Sequence, residues 1–221
     1  MAKDREVVAF DTPGNGMSDW PPEPMDIAGY AQAFSDGIES LSLGGIVPLD
    51  LFGFHTGSFL AAELAIARPD KIARLAMSGI PYRTPEERQE RLDKIEARPR
   101  LTEDGKDIMG QLERLWTFVV SERDQRVPLE RAAEVFVEKA KPLDRYWWPY
   151  RGVWTYDVAQ RFPLITQPTL IVQPHENLLE YSKQAAAFIN DVRMVELPDL
   201  RRDVFDVGAD QIAAKLRHFL N

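Results

Sequence analysis

Gly53-Phe54-His55-Thr56-Gly57 is the stretch of this chain best suited to chemistry. It follows a short apolar run, residues 47–52, and opens a strongly apolar helical pattern over residues 58–68. A strand, a Gly-x-x-x-Gly turn and a helix in that order make a sharp elbow. The glycines permit the tight backbone, and the middle side chain is pushed out above the strand end. That side chain is His55. An imidazole at a helix N-terminus, where the helix dipole disfavours positive charge, suits a general base or a nucleophile. The backbone amide of Thr56 is placed to polarise a carbonyl. The competing reading of His55 is structural, a polar residue that caps a buried helix and pairs with neighbours or water.

Composition narrows the partners. The formal net charge of −8 disfavours nucleic acid and anionic membranes, which leaves a small-molecule substrate or ligand. There is no cysteine, hence no disulfide, no thiolate nucleophile and no zinc–thiolate site. No His/Asp/Glu cluster has metal-ligand spacing, so no metal and no cofactor are implied. The first residues carry no apolar signal segment and no run approaches transmembrane length, so a cytoplasmic protein is expected. A chain of 221 residues suffices for one sizeable domain, or for a core with a cap.

The elements that must position His55 read as follows. Residues 5–10, Arg-Glu-Val-Val-Ala-Phe, suggest a buried strand, followed by a Pro/Gly-punctuated turn at residues 11–16. Residues 27–43 have helical spacing through Ile27, Tyr30, Phe34 and Ile38, with Gly44 and Gly45 as the stop. The helix after the elbow is apolar almost all round, so it must be buried on a sheet. Residues 72–80 read as the next strand. Strand, helix, strand, helix, strand with short loops implies a doubly wound, mostly parallel α/β sheet. From Tyr82 the chain turns helical. Residues 83–100 are dense in charge and read as a solvated helical face, and two amphipathic stripes follow around residues 108–119 and 129–137. The predicted division is therefore 1–81 for the first part of the core, 82–162 for a helical cap and 163–221 for the rest of the core. Near the end of the cap, Trp147, Trp148 and Trp154 belong to an aromatic cluster. It either lines a substrate pocket or holds the cap together, and the two readings weigh evenly. Strands at 168–172 and 192–197 alternate with helices at 178–189 and 208–220.

Four pieces of the chain together resemble the α/β-hydrolase fold superfamily. Residues 11–19, Asp-Thr-Pro-Gly-Asn-Gly-Met-Ser-Asp, match that family's D-x-P-G-x-G-x-S-D turn. The elbow with its alanine-rich helix and Arg68-Pro69-Asp70-Lys71-Ile72, the helical cap, and Gln167-Pro168-Thr169-Leu170-Ile171-Val172 match in order. The resemblance implies a cofactor-free hydrolase with a helical cap, and it covers essentially the whole chain.

Four departures shape what it implies for the site. His55 stands where the family has its nucleophilic serine. The acid slot falls on Asn177, with Glu176 adjacent. The slot for the catalytic histidine falls on or beside Arg202. The family's opening strands and H-G loop have no counterpart, so an N-terminally shortened fold lacking one oxyanion donor is expected. No serine–histidine–acid relay can be drawn. Thr56 and Ser58 sit off the elbow tip. Three readings stay open: a His55-dependent enzyme acting on a small ester or carbonyl compound, with Glu176 or Arg202 orienting the substrate; a non-catalytic small-ligand binder; and an inactive shortened copy. In the binder, His55 and Arg202 donate to the ligand; the competing structural reading of Arg202 with Glu176 is a salt bridge filling the old relay space.

Overall fold

The computed structural model describes residues 1, 3–43, 48–97 and 101–221. Four strands, β1 (Leu49–Phe54), β2 (Ile72–Ser78), β3 (Thr169–Pro174) and β4 (Val192–Leu197), lie in the order β1-β2-β3-β4, and every pairing is parallel. Alternation along the strands sets the layers. Leu75, Met77 and Ile171 face one core, with Phe59, Leu60 and Ala62, whereas Ala76, Leu170 and Val172 face the other, with Ile212 and Leu216. Both faces are covered, as a parallel sheet requires.

On the first face lie α1 (Ile27–Ser40), α2 (Thr56–Ala67) and α8 (Leu179–Ala186); on the second lies α9 (Val204–Leu220). Asp26 starts α1 by accepting the Gly29 amide at 2.7 Å. In α2 every residue from Ser58 to Ala65 is buried, which is why its sequence shows no polar face.

Between β2 and β3 the chain forms α3 (Pro85–Glu96), α4 (Lys106–Trp116), α5 (Leu129–Ala140), α6 (Trp148–Thr155) and α7 (Val158–Arg161), with a π-helical turn at Thr117–Ser121. A capping box starts α3: Thr84 accepts the Glu87 amide at 3.3 Å and Glu87 accepts the Thr84 amide at 2.9 Å. This insertion is anchored at its C-terminal end. Val153, Tyr156, Val158 and Phe162 enter the main core, while α4, α5 and the π turn pack on their own small cluster of Val119, Val120, Val127 and Ala132. The tie is polar as well as apolar. Glu63, buried in α2, accepts hydrogen bonds from the Tyr156 hydroxyl at 3.0 Å and from Arg161 at 2.9 and 2.5 Å.

The structure corrects the sequence reading at several points. Residues 5–10 form no strand: residues 6–10 have no regular secondary structure, Val7, Val8 and Phe10 are exposed, and among the described residues they join no ladder. An apolar run becomes a strand only when a neighbour takes up its backbone groups, and none lies beside it. The last helix starts four residues earlier than expected, at Val204, because Asp203 adopts a left-handed conformation (φ 46°) that turns the chain into it. The Gly44-Gly45 stop, Val47, and Arg98 and Arg100 of the charged stretch lie outside the described residues.

Candidate active site

Because the strands are parallel, the loops leaving β1, β2, β3 and β4 all emerge at one edge of the sheet, where α/β proteins place their sites. The β1 loop is the elbow. The His55 amide donates to Ser78 O at 2.9 Å, which extends the β1–β2 ladder one residue past β1. The chain then reverses into α2 with His55 at φ 51° and ψ −119°, a conformation that side-chain-bearing residues seldom adopt. The reversal brings α2 so close to β1 that a Cβ on Gly53 would lie 2.1 Å from Gly57 O. Ser58 is buried, and its hydroxyl bonds to Gly53 O at 3.2 Å and Ser78 O at 2.9 Å, so it is a structural residue and no nucleophile. Thr56 is the first residue of α2, and its amide donates to no described backbone or side-chain acceptor.

The imidazole of His55 has a definite partner. Its Nε2 lies 2.9 Å from both Glu176 Oε1 and Oε2. The Glu176 side chain is only 9% exposed, against 41% for His55. A carboxylate can only accept, so Nε2 carries the proton of this contact, and in the neutral ring Nδ1 then keeps its lone pair. The ring lies flat on Phe54, with centroids 3.9 Å apart and planes 18° apart, and Phe54 in turn meets Phe205 of α9 edge-on at 4.7 Å. Beneath the pair is Gly79, at φ 63°; a Cβ there would come within 2.4 Å of both His55 Cδ2 and Glu176 Oε1. Two buried side chains fix that glycine loop. Gln173 accepts the Gly79 amide at 3.1 Å and Ser182 accepts the Ile80 amide at 2.8 Å.

The remaining expected site residues lie elsewhere. Asn177, expected in the acid slot, is exposed, and the neighbouring carboxylate is the one on His55. Arg202 makes no bond to Glu176. Its guanidinium pairs with Glu122 at 3.1 Å, donates to Phe118 O and stacks 4.7 Å from the Phe118 ring, so it ties the loop before α9 to the helical insertion. Trp148 packs edge-on against Trp20 at 5.5 Å and against Trp147 at 6.2 Å, and Trp154 stacks on Tyr150 at 6.4 Å with Arg91 over its ring. None of these contacts involves His55 or Glu176. Sequence reasoning passed over Gly79, Gln173, Ser182 and Glu63. The one with a visible signal is Glu63, a lone carboxylate in an otherwise apolar helix.

A parallel sheet with helices on both faces, a left-handed elbow between β1 and α2, and a helical insertion after β2 define an α/β-hydrolase fold. Solved structures bear this out. MenH from S. aureus superimposes with a TM-score of 0.78 at 16% identity, over 96% of this chain and 81% of that one. An alpha/beta hydrolase enzyme from a Medee basin deep-sea metagenome library gives 0.71 at 17%, over 95% and 77%. The enol-lactonase from Burkholderia xenovorans LB400 gives 0.70 at 20%, over 95% and 78%. This chain is thus shorter than the proteins it resembles. No protein-family model matches the sequence.

Proposed function

We propose that this protein acts without a cofactor on a small ester or carbonyl compound, with His55 as its general base and Glu176 as the carboxylate that orients it. The observation that carries this reading is the pair itself: an imidazole turned outward on a left-handed elbow, with its Nε2 held by a nearly buried carboxylate. In the hydrolytic reaction His55 Nδ1 takes a proton from water as the oxygen adds to the carbonyl carbon. The oxyanion so formed accepts the Thr56 amide at the N-terminus of α2. Collapse breaks the bond to the leaving oxygen, which takes the proton back from the imidazolium. Glu176 holds the tautomer and stabilises the imidazolium while it exists. Water replaces the serine of the usual elbow, so no acyl-enzyme forms. The fold-level likeness to an enol-lactonase supports an ester or lactone as the substrate by analogy only.

The test is hydrolysis of p-nitrophenyl acetate by the wild-type chain and by His55→Ala. Removing the base should lower the rate by about 10²–10⁴-fold. Equal rates, or a folded wild type that is stabilised by small acids or esters yet turns none over, would replace this reading with that of a ligand binder.

A further inference from the structure

Two charged side chains are buried among the described residues, Glu63 at 6% exposed and Arg83 at 8%. Glu63 is answered by the Tyr156 hydroxyl and the Arg161 guanidinium. Arg83 has no such answer. Its Nη1 donates to Tyr82 O at 2.5 Å, its Nε is buried without a hydrogen-bond partner, and among the described residues no carboxylate pairs with it. Buried charges are ordinarily paired, because an unpaired one loses its water for nothing.

The surroundings of Arg83 are aromatic and cationic. Its guanidinium is 3.5 Å from the ring centroid of Tyr181 on α8 and 5.7 Å from that of Trp154 on α6. Arg91 of α3 lies over the same indole at 5.1 Å, so two cations share one ring. Burial, and after it the charge of Arg91, pull the Arg83 pKa below the ordinary arginine value, while Tyr181 and Glu87 act the other way. Glu87 is engaged elsewhere: its Oε2 accepts the Thr84 amide at 2.9 Å and its Oε1 the Tyr181 hydroxyl at 3.2 Å. Ring contacts return only part of what desolvating a guanidinium costs. A carboxylate returns more, since its two oxygens match the fork along the Nε edge. Arg91 is exposed and long enough to close over the same anion, and the half-buried Trp154 and Tyr181 offer flat apolar surface to whatever carries it. The charge of Glu87 disfavours a dianion such as phosphate.

We propose that Arg83 and Arg91, with the rings of Trp154 and Tyr181, bind a small molecule that carries a carboxylate on a flat apolar stem, the carboxylate taking the Nε edge of Arg83. The molecule is either a substrate of the His55 site, held by its acid end, or a separate acid. Arg83 and the His55–Glu176 pair share two supports, the loop through Gly79 and helix α8, where Ser182 accepts the Ile80 amide at 2.8 Å.

The test is calorimetric titration of the 221-residue chain with phenylacetate, with phenylacetamide as its uncharged counterpart and inorganic phosphate as a second anion. Phenylacetate should bind about tenfold or more tightly than the amide, and Arg83→Gln should abolish that difference. Arg83→Lys keeps the charge without the fork and should weaken phenylacetate about fivefold. Arg91→Gln alters an exposed residue, so it decides the matter even if the Arg83 variants fail to fold, and it should weaken phenylacetate about threefold. The source of the acid is read from the rates on mono-p-nitrophenyl glutarate and p-nitrophenyl butyrate. Arg91→Gln lowers the ratio of the first to the second if the carboxylate belongs to the substrate, and leaves it unchanged if the acid is separate. If neither ester is hydrolysed, the reading of His55 fails and the titration still decides this one. The proposal is overturned by phenylacetate that binds no better than the amide, by phosphate that binds more tightly than phenylacetate, or by phenylacetate affinity unchanged in Arg91→Gln.

Discussion

His55 holds a backbone conformation that costs on the order of 1–3 kcal/mol for a residue with a side chain, and it holds it at the point where its ring meets Glu176. Strain and site coincide. This separates backbone from side chain in a simple comparison. His55→Gly and His55→Ala both lose the imidazole, but only glycine relaxes at φ 51°. Urea denaturation should find His55→Gly more stable than His55→Ala by about 1 kcal/mol. Equal stabilities would mean that the elbow is not strained. Gly79 makes the converse case. Gly79→Ala puts a methyl group 2.4 Å from both members of the pair at a positive φ. It should cost about 1–2 kcal/mol of stability and, by displacing the pair, lower ester hydrolysis at least about tenfold.

At this scale the sequence was partly readable. The Gly-x-x-x-Gly spacing around His55 is a backbone requirement and therefore visible. The sequence puts the acid slot on Asn177 with Glu176 adjacent and gives no pairing of His55 with Glu176, because register in a loop is not set by any periodicity. Arg202 was assigned to the same neighbourhood, but its long side chain runs the other way, to Phe118 and Glu122.

Among the elements, the tie between α2 and the helical insertion is the most exacting. Glu63 is buried and answers three donors, from Tyr156 and Arg161. Glu63→Gln leaves the Arg161 guanidinium without its carboxylate. It should cost about 2–3 kcal/mol in urea denaturation, a value discounted because Arg161 keeps some contact with water. Tyr156→Phe removes one bond and should cost about 1–2 kcal/mol. A cost near zero for Glu63→Gln would show that apolar packing of Val153, Val158 and Phe162 alone holds the insertion in place. Most elements were legible because their apolar residues recur with the period of the element: β4 was read to the residue, and α2 lacks a polar face because it lies against the sheet. The arm at residues 6–10 was misread for the same reason. Its composition is that of a strand, but composition carries no information on whether a neighbouring strand exists to pair with it.

For the molecule as a whole, buried phenols set an upper limit in pH. Burial pushes Tyr30 up to about 12, and burial together with the Glu63 charge pushes Tyr156 higher still. Unfolded, both release their protons near pH 10. Above that pH the unfolded chain binds fewer protons than the folded one, so stability falls as pH rises. The urea midpoint should owe nothing to these groups below about pH 9 and should drop between about pH 10 and 12, less steeply in Tyr30→Phe. An unchanged midpoint through pH 11 would contradict the assignment. None of the described helices is long and apolar enough to cross a membrane.

The measurement that bears most directly on the account is a double-mutant cycle in kcat/KM for p-nitrophenyl acetate, using His55→Ala, Glu176→Gln and the two combined. If Glu176 acts only through the His55 ring, the double variant is as slow as His55→Ala alone, because a pair that works as a unit is lost with either member. Losses that simply add, or four equal rates, would contradict the claim that these two side chains form one catalytic group.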